Sequence, residues 1–194
     1  MVVLVIEKIK QYAKENNVPI VMDDSFEYIS NYVKENNIKN ILEIGSAIGY
    51  FACVISIKNN INVTTIERKK EMYELAVKNV NACKLNDKVK VIYGDALKIE
   101  LGTKFDLIFI DAAMGQYINM FEKFKNNLTD KGTIICDNMN FHGMVDKVEE
   151  IESKNLRGLA IRTKRFREFL ETNKEFDSEI VSVGDGLSIS KRSD

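Results

Sequence analysis

Hydrophobic positions along the 194-residue chain change rhythm near residue 40. Before that point Val5, Ile9 and Tyr12 to Ala13 recur at helical spacing, in a segment that runs out at Asn16-Asn17 just ahead of Pro19, the only proline. A second helix is expected from Asp24 or Ser25, with Glu27 in its first turn and Phe26, Ile29, Tyr32 and Val33 on one apolar face. Beyond Asn40, short apolar runs alternate with amphipathic segments. The runs are Ile41 to Ile44, Val63 to Ile66, Val89 to Tyr93, Leu107 to Ile110 and Thr133 to Cys136, and Met72, Leu75, Ala76, Asn79 and Val80 mark one intervening helix. Short runs that are apolar on both faces, with helices between them, are what a buried parallel sheet requires. The end of the chain differs. Strand-like Ser178 to Val183 and Leu187 to Ser190 are joined by Gly184-Asp185-Gly186, far too short a link for a parallel crossover, so they must pair antiparallel. The expected fold is α/β, a mostly parallel sheet ending in an antiparallel C-terminal hairpin. It is read as one domain over 1–194, with amino-terminal helices in 1–38 and the α/β core in 39–194.

Composition narrows the partners. Hydrophobic residues at 45% and charged residues at 29% exclude bulk disorder. A chain of this size buries roughly 70% of its unfolded surface and needs no disulfide or structural zinc. The formal charge is -1, so any nucleic-acid contact must come from a local patch. Cys53, Cys83 and Cys136 are odd in number and scattered through apolar stretches, which suggests buried thiols in a reducing compartment. Met1 to Ile6 has no basic leader and no small-residue cleavage site, and no run approaches the roughly 20 apolar residues that span a bilayer. A cytoplasmic location without membrane contact is expected.

Chemistry gathers at the strand ends. Glu43-Ile44-Gly45-Ser46-Ala47-Ile48-Gly49-Tyr50 places two glycines where a strand gives way to a helix beginning near Ile48, at the carboxyl end where open α/β sheets bind ligands. The spacing is G-x-x-x-G, not the pyrophosphate-binding G-x-G-x-x-G, and Glu43 would repel a pyrophosphate but suit a cationic ligand. Glu67 ends the next strand, where an acid accepts hydrogen bonds from ribose hydroxyls. Asp95, within Gly94-Asp95-Ala96, follows the third strand and could take an adenine amino group. Turn glycines and solvated acids fit each motif alone, but acids at three successive strand ends describe a nucleoside pocket that welcomes positive charge. S-adenosylmethionine has both properties. The fourth and fifth strands end in Asp111-Ala112-Ala113 and Asp137-Asn138. Asp111, Asp137 and Asn138 offer hard oxygen ligands, which suit Mg²⁺ and argue against zinc; a helix cap at Asp137 and a turn at Asn138 fit the same two residues.

Glu43-Ile44-Gly45, Ile66-Glu67-Arg68, Gly94-Asp95-Ala96, Asp111-Ala112-Ala113 with Gln116-Tyr117, and Asp137-Asn138, in that order, resemble the cation-dependent O-methyltransferases of the catechol and caffeoyl-coenzyme A type. The resemblance covers about residues 19–192. Gly115-Gln116-Tyr117, Phe141-His142-Gly143-Met144-Val145 and Val183-Gly184-Asp185-Gly186-Leu187 look most like the bacterial tRNA 5-hydroxyuridine methyltransferases within that group. The resemblance implies a Rossmann-like, seven-stranded methyltransferase fold with helices on both faces. It implies Glu43, Gly45, Glu67, Asp95 and Asp111 around the methyl donor, with Ser46, Gly49, Tyr50, Arg68 and Ala96 in the same binding stretches. Asp111, Asp137 and Asn138 would hold a divalent metal and form the catalytic set. The expected activity is S-adenosylmethionine-dependent O-methylation of 5-hydroxyuridine in tRNA. A small hydroxylated aromatic substrate, or a catalytically weak nucleoside- or RNA-binding relative, is the alternative.

Many members of that family carry a lysine three residues after the first metal aspartate, taken to deprotonate the acceptor; here the position is Met114. A metal-activated hydroxyl that is already acidic, such as an enolic 5-hydroxyuracil, would not need that base. His142, the only histidine, could accept a proton or serve as a solvent-facing loop residue. Lys154 to Arg167 contains six cations and no acid. Arg157, Arg162, Lys164 and Arg165 are candidate RNA contacts, against the alternative of a solvated helix face. Family members commonly pair through amino-terminal helices, so a homodimer is expected.

Overall fold

In the computed structural model, residues 2–193 are described; Met1 and Asp194, which the 1–194 domain reading includes, lie outside the described residues. The chain separates into two units, residues 1–101 and 102–194. The first opens with helices α1 (Val2–Glu15) and α2 (Asp23–Glu35). Helix α2 begins one or two residues earlier than the expected capping residue. Its first turn carries Asp23 and Asp24, whose charges complement the helix N-terminus although Met22 supplies no side-chain cap. Strands β1 (Asn40–Ile44), β2 (Asn62–Glu67) and β3 (Val89–Tyr93) then alternate with helices α3 (Tyr50–Asn59) and α4 (Lys70–Ala82). Strand β2 pairs in parallel with both β1 and β3. Ile41, Leu42 and Ile44 are fully or almost fully buried, as a strand covered on both faces must be. Helix α3 starts two residues later than the apolar pattern suggested. Ala47 and Gly49 adopt left-handed φ values of 45° and 76°, which delay the first helical turn.

The second unit holds β4 (Phe105–Ile110), α5 (Tyr117–Phe124), β5 (Leu128–Cys136), α6 (Lys154–Thr172), β6 (Phe176–Val181) and β7 (Leu187–Arg192). Strands β4 and β5 are parallel, while β7 runs antiparallel to both β5 and β6. Strand β5 begins five residues before the predicted apolar run. Its early residues Asp130 and Lys131 face solvent, so hydrophobicity gave no sign of them. Strand β6 stops at Val181, because the Val183 N–H turns back onto the Val181 carbonyl. The strand order is β3-β2-β1-β4-β5-β7-β6, a seven-stranded mixed sheet with the antiparallel hairpin expected from the sequence. Cys53, Cys83 and Cys136 are free and buried. No helix among the described residues is long and apolar enough to cross a membrane.

Candidate active site

In the first unit the chain leaves β1 through a turn held by its neighbour β2. The N–H groups of Gly45 and Ser46 both donate to the Ile66 carbonyl, at 3.0 and 3.2 Å. Gly45 has φ 103°, and at Gly49 a Cβ would lie 3.1 Å from the Ala76 Cβ, so helix α4 approaches here because the side chain is missing. Glu67, at the end of β2, organises this turn. Its Oε2 accepts from the Ala47 N–H (2.9 Å) and its Oε1 from the Lys69 N–H (2.8 Å). Each oxygen keeps a further lone pair, so Glu67 can still accept from a ligand hydroxyl. Asp95 follows the same logic after β3, with Oδ1 accepting from the Leu97 N–H at 3.0 Å. Glu43 lies within β1 and is 2% exposed.

Other residues of the donor set face elsewhere. The Ser46 hydroxyl is engaged with that of Thr65, its N–H with the Ile66 carbonyl and its carbonyl with the Gly49 N–H, so its polar groups hold the turn itself. Tyr50 is buried at the start of α3, where desolvation raises its pKa and the charges of Lys10, Asp23 and Glu7 act on its phenol. Ala96 is buried, whereas Arg68 is exposed.

The second unit brings Asp111, Asp137 and Asn138 together. The Asp137 N–H donates to the Ile110 carbonyl (3.1 Å), which extends the β4–β5 pairing by one step and sets the two aspartates at adjacent strand ends. Asn138 touches both. Its side-chain amide donates to Asp111 Oδ1 at 3.3 Å, and its N–H donates to Asp137 Oδ1 at 2.7 Å. Burial pushes the Asp111 carboxyl up to about 6, against a smaller lowering by the Asn138 amide. Asp137 rises to about 7, first through burial and then through the neighbouring Asp111 charge. Two carboxylates that repel each other in a desolvated corner favour a positive partner. Among the described residues no three His, Cys, Asp or Glu side chains form a group able to hold a metal. The candidate set here is two carboxylates and an amide.

The loop after β5 is held by a residue that the sequence offered only as part of a turn. Asn138, Phe141, His142 and Gly143 all have left-handed φ values, between 45° and 75°. Asp185, in the β6–β7 turn, holds this loop in place. Its Oδ1 accepts from the His142 N–H (2.6 Å) and its carbonyl from the Asn140 N–H (2.8 Å), while the Gly186 carbonyl accepts from Met139 (3.0 Å). At Gly186, with φ 84°, a Cβ would collide with the Asn140 amide at 2.8 Å. The signal in the sequence was an acid between two glycines, a composition that suits any tight turn. The His142 ring lies 3.5 Å from Asp185 Oδ2 but is 69% exposed.

Met114 sits against an apolar cluster of Phe141, Val145, Ile151 and Ala160. Its sulfur accepts a hydrogen bond from the Thr163 hydroxyl at 3.2 Å. Of the cations on α6, Arg157 donates from Nε to the Ile151 carbonyl (2.9 Å), while Arg162, Lys164 and Arg165 are exposed.

The O-methyltransferase family model matches residues 3–193, across both units. The chain belongs to the O-methyltransferase family. Its enzyme class is accordingly S-adenosylmethionine-dependent O-methyltransferase. This O-methyltransferase is 34% identical to a Staphylococcus aureus protein provisionally named a caffeoyl-CoA O-methyltransferase, with a TM-score of 0.92 over 97% of this chain and 92% of that one. A Bacillus cereus O-methyltransferase crystallised with S-adenosylhomocysteine is 25% identical, with a TM-score of 0.82 over 97% and 90% of the two chains. Among curated relatives, the caffeoyl-CoA O-methyltransferase of Populus kitakamiensis is 24% identical over 94% of this chain and 82% of its own length. The flavonoid 3',5'-methyltransferase of Vitis vinifera is 26% identical over 91% and 78%.

Proposed function

We propose that this O-methyltransferase depends on a divalent cation and converts 5-hydroxyuridine in tRNA to 5-methoxyuridine. The observation that carries the cation requirement is the pair of half-buried Asp111 and buried Asp137, bridged by Asn138. The donor set fits Mg²⁺, which typically takes one or two carboxylates and completes its shell with water and substrate oxygens. A cation held by Asp111, Asp137 and Asn138 would offset their charge and lower the pKa of an acceptor hydroxyl.

The remaining groups bind and orient. Glu43 supplies negative charge suited to a sulfonium donor. Glu67 and Asp95, already aligned by backbone N–H groups, have lone pairs left for ribose hydroxyls and an adenine amine. Methyl transfer is a direct displacement at carbon, so its rate follows from positioning and from charge neutralisation as sulfonium and oxyanion meet.

Two features favour the RNA substrate. Met114 offers no base and packs among apolar side chains, which suits an acceptor whose hydroxyl is already acidic. Lys154, Arg162, Lys164 and Arg165 are exposed along one helix of a chain whose formal charge is only -1, and such a patch suits phosphates. Mass spectrometry of tRNA nucleosides from cells lacking the protein is expected to show loss of 5-methoxyuridine; an unchanged level removes this substrate. Reversing the charge at Arg162 and Arg165 is expected to weaken tRNA binding and flatten its salt dependence. A second reading, a small catechol-type acceptor, is favoured by the names of the caffeoyl-CoA and flavonoid relatives. It gains if catechols are methylated while tRNA is untouched. Exposed Val3 and Leu4 on α1 suit pairing as a homodimer, and the three free, buried thiols suit a reducing, cytoplasmic setting.

A further inference from the structure

Of the arginines of α6, Arg162 and Arg165 are both exposed without a hydrogen-bond or ion-pair partner among the described residues, and Arg162 in addition lies against two glycines. Arg157 is tied to the Ile151 carbonyl, and Arg167 pairs with Asp146 at 3.2 Å, so both help to hold the chain. The Arg162 side chain is nonetheless closely seated. A Cβ at Gly115 would lie 3.1 Å from its Cδ and 3.2 Å from its Nε. A Cβ at Gly158 would lie 3.5 and 3.7 Å from its two terminal nitrogens. Two glycines thus make a floor of bare backbone under one arginine. Gly115 lies on the turn that follows Asp111, so this guanidinium rests on the loop that carries the first aspartate of the site.

We infer that Arg162, seated on Gly115 and Gly158, is a recognition site for a phosphate carried by the methyl acceptor. The inference rests on the function proposed above and names the group through which the acceptor is selected. A guanidinium presents a planar fork that matches two phosphate oxygens. Seating the side chain on two glycines in advance reduces the ordering cost that a long exposed arginine otherwise incurs on binding. The phosphate has two possible sources, the backbone of an RNA or the phosphorylated pantetheine arm of a coenzyme A thioester.

Ligand pairs that differ by a single phosphate separate these sources. Calorimetry in the presence of S-adenosylhomocysteine would compare uridine with uridine 5′-monophosphate, and pantetheine with 4′-phosphopantetheine. The unmodified enzyme is expected to bind uridine 5′-monophosphate at least about tenfold more tightly than uridine. Arg162→Ala should shrink that advantage to less than about twofold, the loss expected when the charge-assisted bond goes. Gly115→Ala keeps the charge but presses on Cδ and Nε, so it should give an intermediate loss. A phosphate advantage confined to the pantetheine pair and abolished in Arg162→Ala keeps the site but overturns the RNA substrate. No advantage in either pair, or one that survives Arg162→Ala in a folded variant, overturns the inference.

Discussion

The two units end their strands in the same residue type and treat it in opposite ways. In the first, the Glu67 and Asp95 carboxylates accept backbone N–H groups and thereby fix the loops that would cradle a donor. In the second, half-buried Asp111 and buried Asp137 stand at adjacent strand ends, and Asn138 is the donor that reaches both. A carboxylate satisfied by its own chain is a piece of architecture. A desolvated pair is a store of unfavourable electrostatics that a bound cation releases. On the function proposed above, organisation would fall to 1–101 and reactivity to 102–194.

Removing a charge from the second unit should have the largest effect. Asp137→Asn is expected to lower kcat by roughly three orders of magnitude, the loss expected when several kcal/mol of charge stabilisation disappear. The same variant should unfold at a higher temperature than the unsubstituted protein when both are measured with chelator at pH 8, since the repulsion is gone. Equal melting temperatures there would break the contrast drawn between the units.

A pH series tests the same pair without mutation. Asp111 at about 6 and Asp137 at about 7 hold protons more tightly in the folded chain than in the unfolded one. Their contribution to stability is therefore best below the unfolded carboxyl pKa, about 4, and worsens as the pH rises through about 7. With chelator present, Tm is expected to rise as the pH is lowered from 8 to 5.5. Added Mg²⁺ should raise Tm at pH 8 and have little effect at pH 5.5, and a Mg²⁺ response of equal size at both values would count against a site built on these carboxylates.

The smallest effect is expected from the first unit. Glu67→Gln keeps one acceptor oxygen and replaces the other by a donor that faces a backbone N–H. The KM for S-adenosylmethionine should rise by about tenfold while kcat changes much less, as befits a loop organiser and donor contact. A fall in kcat matching that of Asp137→Asn would erase the distinction.

The sheet was legible because buried strands repeat a simple pattern, and the candidate site because parallel strands deliver their ends to one edge. Asp111, Asp137 and Asn138 could be found by reading two strand ends. What escaped depended on partners distant in sequence. The start of β5 has no hydrophobic signature: Asp130 and Lys131 are exposed and lie in an irregularity of the β4–β5 pairing, between the Phe105–Leu128 and Leu107–Thr133 partners. Asp185 looked like a turn residue because its partners, Asn140 and His142, are more than forty positions away. The seating of Met114 among Phe141, Val145, Ile151 and Ala160 required the fold of α6 and the preceding loop. A lysine could be missed at residue 114 by reading alone, but not the apolar packing a lysine would have to displace.

The three thiols have a use of their own. Cys53 and Cys83 are sealed in the first unit and Cys136 in the second, where burial pushes its thiol up to about 12. A disulfide reagent in solution can therefore reach each sulfur only when its surroundings breathe. Two silent clocks thus sit in the first half of the molecule and one in the second, and the rate at which each is captured would time the opening of its own surroundings.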